Sequence, residues 1–276
     1  MNLKGKTVAI TGGASGIGRG LAFEAASRGA NVAISDRDEA GARETQESIQ
    51  KEFGEMVRAS VHVLDVSDLE NWQSFRQEVL NEHDGTVDGL INNAGITFAG
   101  TVEETDYERY DAVMSVNFMG MVYGSKEFLP LLKERPEAAL VNVSSLYGLL
   151  PKTSQSAYCA SKYAIRGFTE VLAQELKRSN VVVTSVHPGH VGTDILLNAQ
   201  KSGNVVSQNL SDEVVSSIAR DFKRYGLSPR EAGAIILDGV EQKRRFVPVG
   251  KDAERSAFLS RLLPKWYVDR FNREAA

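Results

Sequence analysis

Tyr158 and Lys162 stand four residues apart in the run AYCASKYAI. On a helix this spacing puts both side chains on one face. A free phenol ionises near pH ~10, too high for ready proton exchange near neutrality. A neighbouring ammonium favours the phenolate and brings that value down. Ser145 ends the strand-like run VNVSS before them, where its hydroxyl can meet a substrate oxygen held beside the phenol. Asn117, in SVNFMG, offers an amide that can hold a water between the lysine and solvent. The chemistry on offer is proton exchange with an alcohol or a carbonyl. A Tyr-x-x-x-Lys pair by itself is an ordinary helix surface, so its meaning depends on the surrounding elements.

The second chemical feature is the turn TGGASGIG at 11–18. Gly12 permits a tight turn, Gly16 leaves room for backbone to approach a pyrophosphate, and Gly18 allows a helix to close on the sheet. The helix N-terminus that follows favours the phosphate charge. The spacing is GxxxGxG rather than the usual GxGxxG. Asp36 ends the next strand-like run, where a carboxylate accepts from ribose hydroxyls and repels a 2′-phosphate. That favours NAD. Arg37 beside it offers a guanidinium to a 2′-phosphate, so NADP stays open. Ser15 supplies no second basic group.

These residues need a scaffold, and the rest of the chain describes one. Strand-like runs at 6–11, 31–36, 60–65, 87–92, 139–144, 181–187 and 245–249 alternate with amphipathic segments at 17–28, 38–52, 68–82, 105–133 and 157–178. Nearly continuous apolar strands are those buried on both faces of a parallel sheet. The alternation predicts an α/β, Rossmann-type doubly wound domain with a mostly parallel sheet. One domain over 1–250 is expected, with a substrate loop near 188–225 and an amphipathic tail at 251–276. Residues 188–210 read as a long loop with a short helix, and loops of that length are usually functional.

The chain has 276 residues, a net charge of −4 and one cysteine. That charge argues against a nucleic-acid binder. One cysteine allows no internal disulfide, which fits a reducing, cytoplasmic setting. No apolar run approaches the ~18 residues of a membrane span. The segment 243–276 carries nine Lys/Arg against four Asp/Glu, a basic tail on an acidic body.

The glycine turn, Asp65-Val66, Asn92-Asn93-Ala94-Gly95, Asn117, Ser145, Tyr158-x-x-x-Lys162 and Pro188-Gly189 occur in that order. As a set they resemble the short-chain dehydrogenase/reductase family over roughly residues 1–195. The resemblance implies a seven-stranded sheet and NAD(P)-dependent interconversion of an alcohol and a ketone. It implies Asn117, Ser145, Tyr158 and Lys162 as the catalytic four, with Lys162 also on the nicotinamide ribose. Around the cofactor it implies Gly12, Ser15, Gly16, Ile17, Gly18, Asp36 and Arg37. Asp65 and Val66 would border the adenine, Asn93, Ala94 and Gly95 the pocket, and Pro188, Gly189, Val191 and Thr193 the nicotinamide side. Ser145, Tyr147 and Tyr158 would meet the substrate, with Leu149, Leu150, Gln155 and 194–210 nearby by location. A homodimer or homotetramer is expected.

His187 and His190 have no third ligand nearby, so no metal site is expected. Cys159 reads as a packed thiol. In the tail, Phe258, Leu259, Leu262, Leu263 and Trp266 fall at helical spacing, and Pro264 should break or restart the helix. The tail is expected to pack over its own subunit or a partner and close the substrate pocket. Basic residues around the apolar stripe leave a peripheral membrane contact as the second reading. Two other functions stand beside the dehydrogenase: a non-catalytic dinucleotide-binding regulator, and an epimerase that retains its cofactor. The substrate itself is not legible beyond a medium-sized, partly hydrophobic small molecule.

Overall fold

A computed structural model describes residues 1–205 and 211–273. Seven parallel strands form one sheet: β1 (Thr7–Thr11), β2 (Asn31–Asp36), β3 (Ala59–Val63), β4 (Gly89–Asn92), β5 (Ala138–Val143), β6 (Val181–Pro188) and β7 (Phe246–Val249). Their order is β3-β2-β1-β4-β5-β6-β7. The order reverses between β1 and β4, which opens a crevice at the carboxyl ends of the strands, where α/β folds bind ligands. Both the strand count and the doubly wound arrangement agree with the sequence expectation.

Alternate residues of each strand feed two cores. On one face Val8, Ile10, Val32 and Ile34 pack with Leu21, Ala22 and Ala25 of α1 (Gly16–Ser27) and Ile236 and Leu237 of α9 (Pro229–Glu241). α2 (Glu39–Phe53) covers the same face through Ala42 and Ile49. On the other face Ala9, Ala33, Leu90 and Leu140 meet three helices. Trp72, Phe75 and Val79 come from α3 (Leu69–Glu82), and Phe128 and Leu132 from α5 (Gly120–Lys133). Leu172 and Ala173 come from α6 (Ser156–Glu175).

The segment expected as one helix over 105–133 is interrupted. α4 (Tyr107–Met114) passes into a π-helical turn, Ser115–Met119, before α5 begins. Asn117 lies inside that turn. Such turns concentrate at functional sites.

The region after 188 is more helical than its glycines predict. The short helix is present as α7 (Ile195–Lys201), followed by α8 (Asp212–Tyr225) and α9. Residues 206–210 of the expected loop fall outside the described residues. Ser228 and Glu231 form a capping box at the start of α9, with Pro229 at its first turn.

Pro264 restarts the chain as expected, between α10 (Lys251–Leu262) and α11 (Pro264–Arg273). The tail packs on the body, but through a different stripe. Leu259, Tyr267, Val268 and Phe271 gather on Leu146, Tyr147 and Leu150. Phe258 is 64% exposed and Trp266 51% exposed, with Leu262 and Leu263 exposed between them. α10 turns Ala253, Ser256 and Leu259 inward, so Phe258 and Leu262 face solvent, and Pro264 then begins α11 with a new phase that buries Tyr267 and leaves Trp266 exposed. No helix among the described residues is long and apolar enough to cross a membrane.

Candidate active site

The glycine turn is held in place by the exit of β4. Gly12 has φ +69°, and a Cβ there would lie 2.9 Å from Ala94 Cα. At Gly18 a Cβ would lie 2.0 Å from the Gly12 carbonyl oxygen. Thr11, which sequence reading passed over, ties the two segments. Its Oγ1 accepts the backbone N–H groups of Asn93 and Ala94, each at 3.0 Å. Asn93 Nδ2 returns a bond to Thr11 O at 2.9 Å. The clue to Thr11 was its place as the last residue of the strand entering the turn.

The start of α1 tests whether a dinucleotide fits. α2, α3, α4, α8 and α9 each have an N-cap side chain that accepts a backbone N–H. Ser15, the N-cap of α1, makes no such bond, and the first turn carries no acid. α6, α7 and α10 lack a side-chain cap as well, so it is the glycine turn in front of α1, together with its open N-terminus, that suits an anion. Ile17 packs against the core behind it. Asp36 stands at the rim, accepting from Ala14 N at 3.0 Å and Asp38 N at 3.0 Å. Arg37 is exposed. Thr193 reaches this turn from far along the chain: its Cγ2 lies 3.2 Å from where a Gly16 Cβ would sit. The donors, the cramped glycines and the rim carboxylate fit a pyrophosphate and a ribose.

Asp65 is exposed and engaged by Ser67, whose N–H and Oγ donate to it at 2.9 and 2.6 Å. Val66 is buried and its carbonyl accepts from Trp72 Nε1 at 2.9 Å. Asn92 Nδ2 donates to Asn142 Oδ1 at 2.9 Å, bracing β4 against β5.

Tyr158, Lys162, Ser145 and Asn117 converge at the exits of β4 and β5. Lys162 is buried, donates to Val143 O at 3.0 Å, and places Nζ 5.5 Å from the centre of the Tyr158 ring. An ammonium has three N–H donors, so two remain for a polar ligand. A Cβ on Gly95 would lie 3.2 Å from Asn117 Oδ1 and 3.4 Å from Lys162 Nζ. Asn117 uses its amide on the protein: Oδ1 accepts from Ile96 N at 2.8 Å, and Nδ2 donates to Ile96 O at 2.9 Å and Ser161 Oγ at 3.0 Å. Both amide hydrogens are engaged, which leaves one Oδ1 lone pair for a water.

The electrostatics depart from one expectation. Burial pushes the Tyr158 phenol up to about 12, and a hydrogen bond from Ser145 only partly offsets this. The ammonium does not bring the phenol below its ordinary value in the protein alone. Burial instead lowers Lys162 to about 8. Desolvation sets the direction of both shifts.

Ser145 caps a 3₁₀ turn, Leu146–Gly148, its Oγ accepting from Tyr147 N at 3.1 Å. His187 holds it from behind: Nδ1 lies 3.1 Å from Ser145 O, Nε2 lies 2.9 Å from Ser185 Oγ, and the ring stacks on Phe246. Burial keeps His187 neutral, its pKa lowered to about 4. A neutral ring with Nδ1–H satisfies both bonds. His190 faces away, toward Asp252 at 2.7 Å. The two histidines thus serve separate polar networks. Cys159 is a buried thiol that burial pushes upward.

Tyr147 stands edge-on to Tyr158 at 6.1 Å and to Phe271 of α11 at 6.3 Å. Asn272 accepts from Thr153 N at 3.0 Å and donates to Pro151 O at 3.1 Å. Leu149 and Leu150 are buried, and Leu150 packs under the tail rather than lining a free wall. Gln155 Oε1 is taken by Thr97 Oγ1 at 2.9 Å.

A sequence model of the family described as short chain dehydrogenase matches residues 6–203. A Mycobacterium tuberculosis protein named as an oxidoreductase, SadH, is 35% identical over 268 residues, 96% of this chain and 94% of that protein. D-beta-hydroxybutyrate dehydrogenase of Cupriavidus necator is 32% identical over 243 residues, 85% of this chain and 90% of that protein. A short chain dehydrogenase/reductase from Burkholderia phymatum, crystallised with NAD, superposes with a TM-score of 0.83 at 25% identity, covering 97% of this chain and 96% of that one.

Proposed function

The chain belongs to the short-chain dehydrogenase family, a family of NAD(P)-using oxidoreductases, and from that premise we propose that it interconverts a secondary alcohol and its ketone with NAD(H), using Tyr158 as acid and base. The observation that carries this reading is the convergence of Ser145, Tyr158 and Lys162 beside a glycine turn whose helix N-terminus lacks a side-chain cap.

Gly12, Gly16, Gly18 and Thr193 would hold the diphosphate, Asp36 the adenosine ribose, and Lys162 the nicotinamide ribose. When bound, the cofactor supplies the hydride donor or acceptor and, oxidised, a positive charge. In oxidation Tyr158 Oη takes the substrate hydroxyl proton; in reduction it returns a proton to the forming alkoxide. Ser145 Oγ–H donates to the same oxygen and fixes the reacting carbon. His187 keeps Ser145 in place through its carbonyl. A phenol at about 12 is a competent donor but a weak base near neutrality. Added positive charge near Lys162 lowers it toward working range, so oxidation needs the cofactor in place and reduction does not need a low phenol pKa.

The NAD preference rests on Asp36 at the rim of the turn, where a carboxylate repels a phosphate of about −1.5 to −2 charge. The NAD-bound Burkholderia relative is consistent with it. The substrate side is framed by Tyr147 and the tail, which supports a partly apolar small molecule. Tyr158→Phe tests the assignment: with general acid–base catalysis worth about 10²–10⁴-fold, kcat should fall at least a hundredfold while cofactor binding persists. A variant keeping more than about a tenth of the rate removes Tyr158 from this role.

A further inference from the structure

The turn after β6 is expected to meet the nicotinamide, and it is held by a residue from the tail. Asp252, in the first turn of α10, accepts the His190 backbone N–H at 2.8 Å and lies 2.7 Å from His190 Nδ1. Both contacts fall on one carboxylate oxygen. Gly189 gives it room: a Cβ there would lie 2.2 Å from that oxygen. The bonds continue along the turn. Leu227 N donates to His190 O at 3.1 Å, and Gly192 N donates to Leu227 O at 2.9 Å. Thr193 N closes onto Val191 O at 2.7 Å, and its side chain then arrives against Gly16. A path of short contacts thus runs from Asp252 to the phosphate end of the cleft.

We propose that Asp252 is a positioning residue for the dinucleotide: by pinning His190 it sets where Val191 and Thr193 stand, and through it the C-terminal helices set cofactor affinity. This rests on the oxidoreductase reading only in requiring that a dinucleotide binds. The plain alternative is that Asp252 serves α10 alone, as an acid in a helix's first turn.

The two differ in what they move. The experiment is calorimetric titration of the full chain with NAD⁺ and NADH, with the thermal midpoint of each variant recorded alongside. Asp252→Ala removes a charge-assisted acceptor and should weaken cofactor binding roughly five- to tenfold. Asp252→Asn keeps an acceptor oxygen but no charge, and should recover most of that loss. Phe271→Ala removes the α11 contact on Tyr147 and should leave cofactor affinity within about twofold, the scatter expected for a contact outside the turn. Wild-type affinity in Asp252→Ala, with only a lower thermal midpoint, overturns the proposal. Equal losses in the Ala and Asn variants also overturn it, because charge at the helix terminus would then be the cause. A wild-type chain that binds neither dinucleotide defeats the oxidoreductase reading and this proposal with it.

Discussion

The two sides of the crevice are built from different material. At the exits of β1 and β4, backbone meets backbone: the glycine turn lies against Asn93 and Ala94, spaced by missing side chains and pinned by Thr11. At the exits of β5 and β6, side chains meet side chains: Ser145, Tyr147, Tyr158, Lys162 and His187 are oriented by α6, by Phe246 and by α11. The first side joins two segments 82 residues apart, but each is short and leaves its own compact pattern, the glycines of the turn and Asn93-Ala94. The second depends on contacts made more than a hundred residues away, as Phe271 on Tyr147 shows. It carries the chemistry and has more ways to vary.

The largest expected effect lies on the side-chain side. Lys162→Met removes a buried ammonium that holds Val143 O and faces the Tyr158 ring. We expect kcat/KM to fall about 10³-fold, on the order of 4 kcal/mol. The pH dependence of alcohol oxidation should move upward, since the phenol loses its cationic neighbour. A profile that keeps its midpoint, with only weaker cofactor binding, would assign Lys162 to the ribose alone.

Next comes acid sensitivity, because burial holds two histidines neutral, His187 behind Ser145 and His83 at the end of α3 against Ser60 of β3. Burial, with smaller contributions from His62 and Arg58, lowers His83 to about 4, as burial does His187. Unfolded histidine titrates near ~6.5, so between that value and about 4 the unfolded chain binds more protons. Stability is therefore present above about 6.5 and is lost as pH falls toward 4, by up to roughly 3 kcal/mol per histidine. His83 shows why: Ser60 Oγ lies 2.8 Å from its Nε2, while Nδ1 has no partner among the described residues. Protonation would place a buried N–H there. Urea unfolding of His83→Asn at pH 7 and pH 4.5 checks it. The variant should lose less stability on acidification than the wild type; an equal loss would shift the cause elsewhere.

The smallest effect is expected at the rim of the backbone-built side. Asp36→Ser should raise the NADP(H)/NAD(H) ratio of kcat/KM by one to two orders of magnitude, about 1.4–2.8 kcal/mol at roughly 1.36 kcal/mol per tenfold. Arg37, exposed beside it, is then left to the phosphate. Initial rates with both cofactors decide this. A wild type that already prefers NADP(H) reverses the reading of this strand end, and an unmoved ratio means Asp36 does not face the ribose.

Legibility in the sequence follows how local each pattern is, on both sides of the crevice. The strands, the glycine turn and the Tyr158–Lys162 pair were readable because each is a local pattern. The capping box at Ser228 and Glu231 was equally local and marks a helix that went unread amid polar sequence. His187 was weighed only as a metal ligand, because its bond to Ser145 O joins residues 42 apart. The buried stripe of the tail was misassigned for two geometric reasons: α10 buries the face of Ala253 and Ser256 and not that of Phe258, and Pro264 starts α11 with a new phase that leaves Trp266 exposed. The burial that raises Tyr158 is a property of the packed protein.

The π turn at Ser115–Met119 has a bearing on insertions and deletions. Such a turn holds one residue more than an α-helix uses over the same length. Deleting that residue would restore the regular hydrogen-bond ladder and leave what lies beyond it in nearly the same phase, because the wider turn absorbs its extra residue locally. Val113 on the near side is fixed in one apolar cluster with Phe98 and Ala157, and Phe128 and Leu132 on the far side are fixed in another. Both sides keep their cores in either form. What a chain that lost the surplus residue would give up is the placement of Asn117, whose amide bonds to Ile96 and Ser161 depend on the widened turn, and not the packing of α4 or α5.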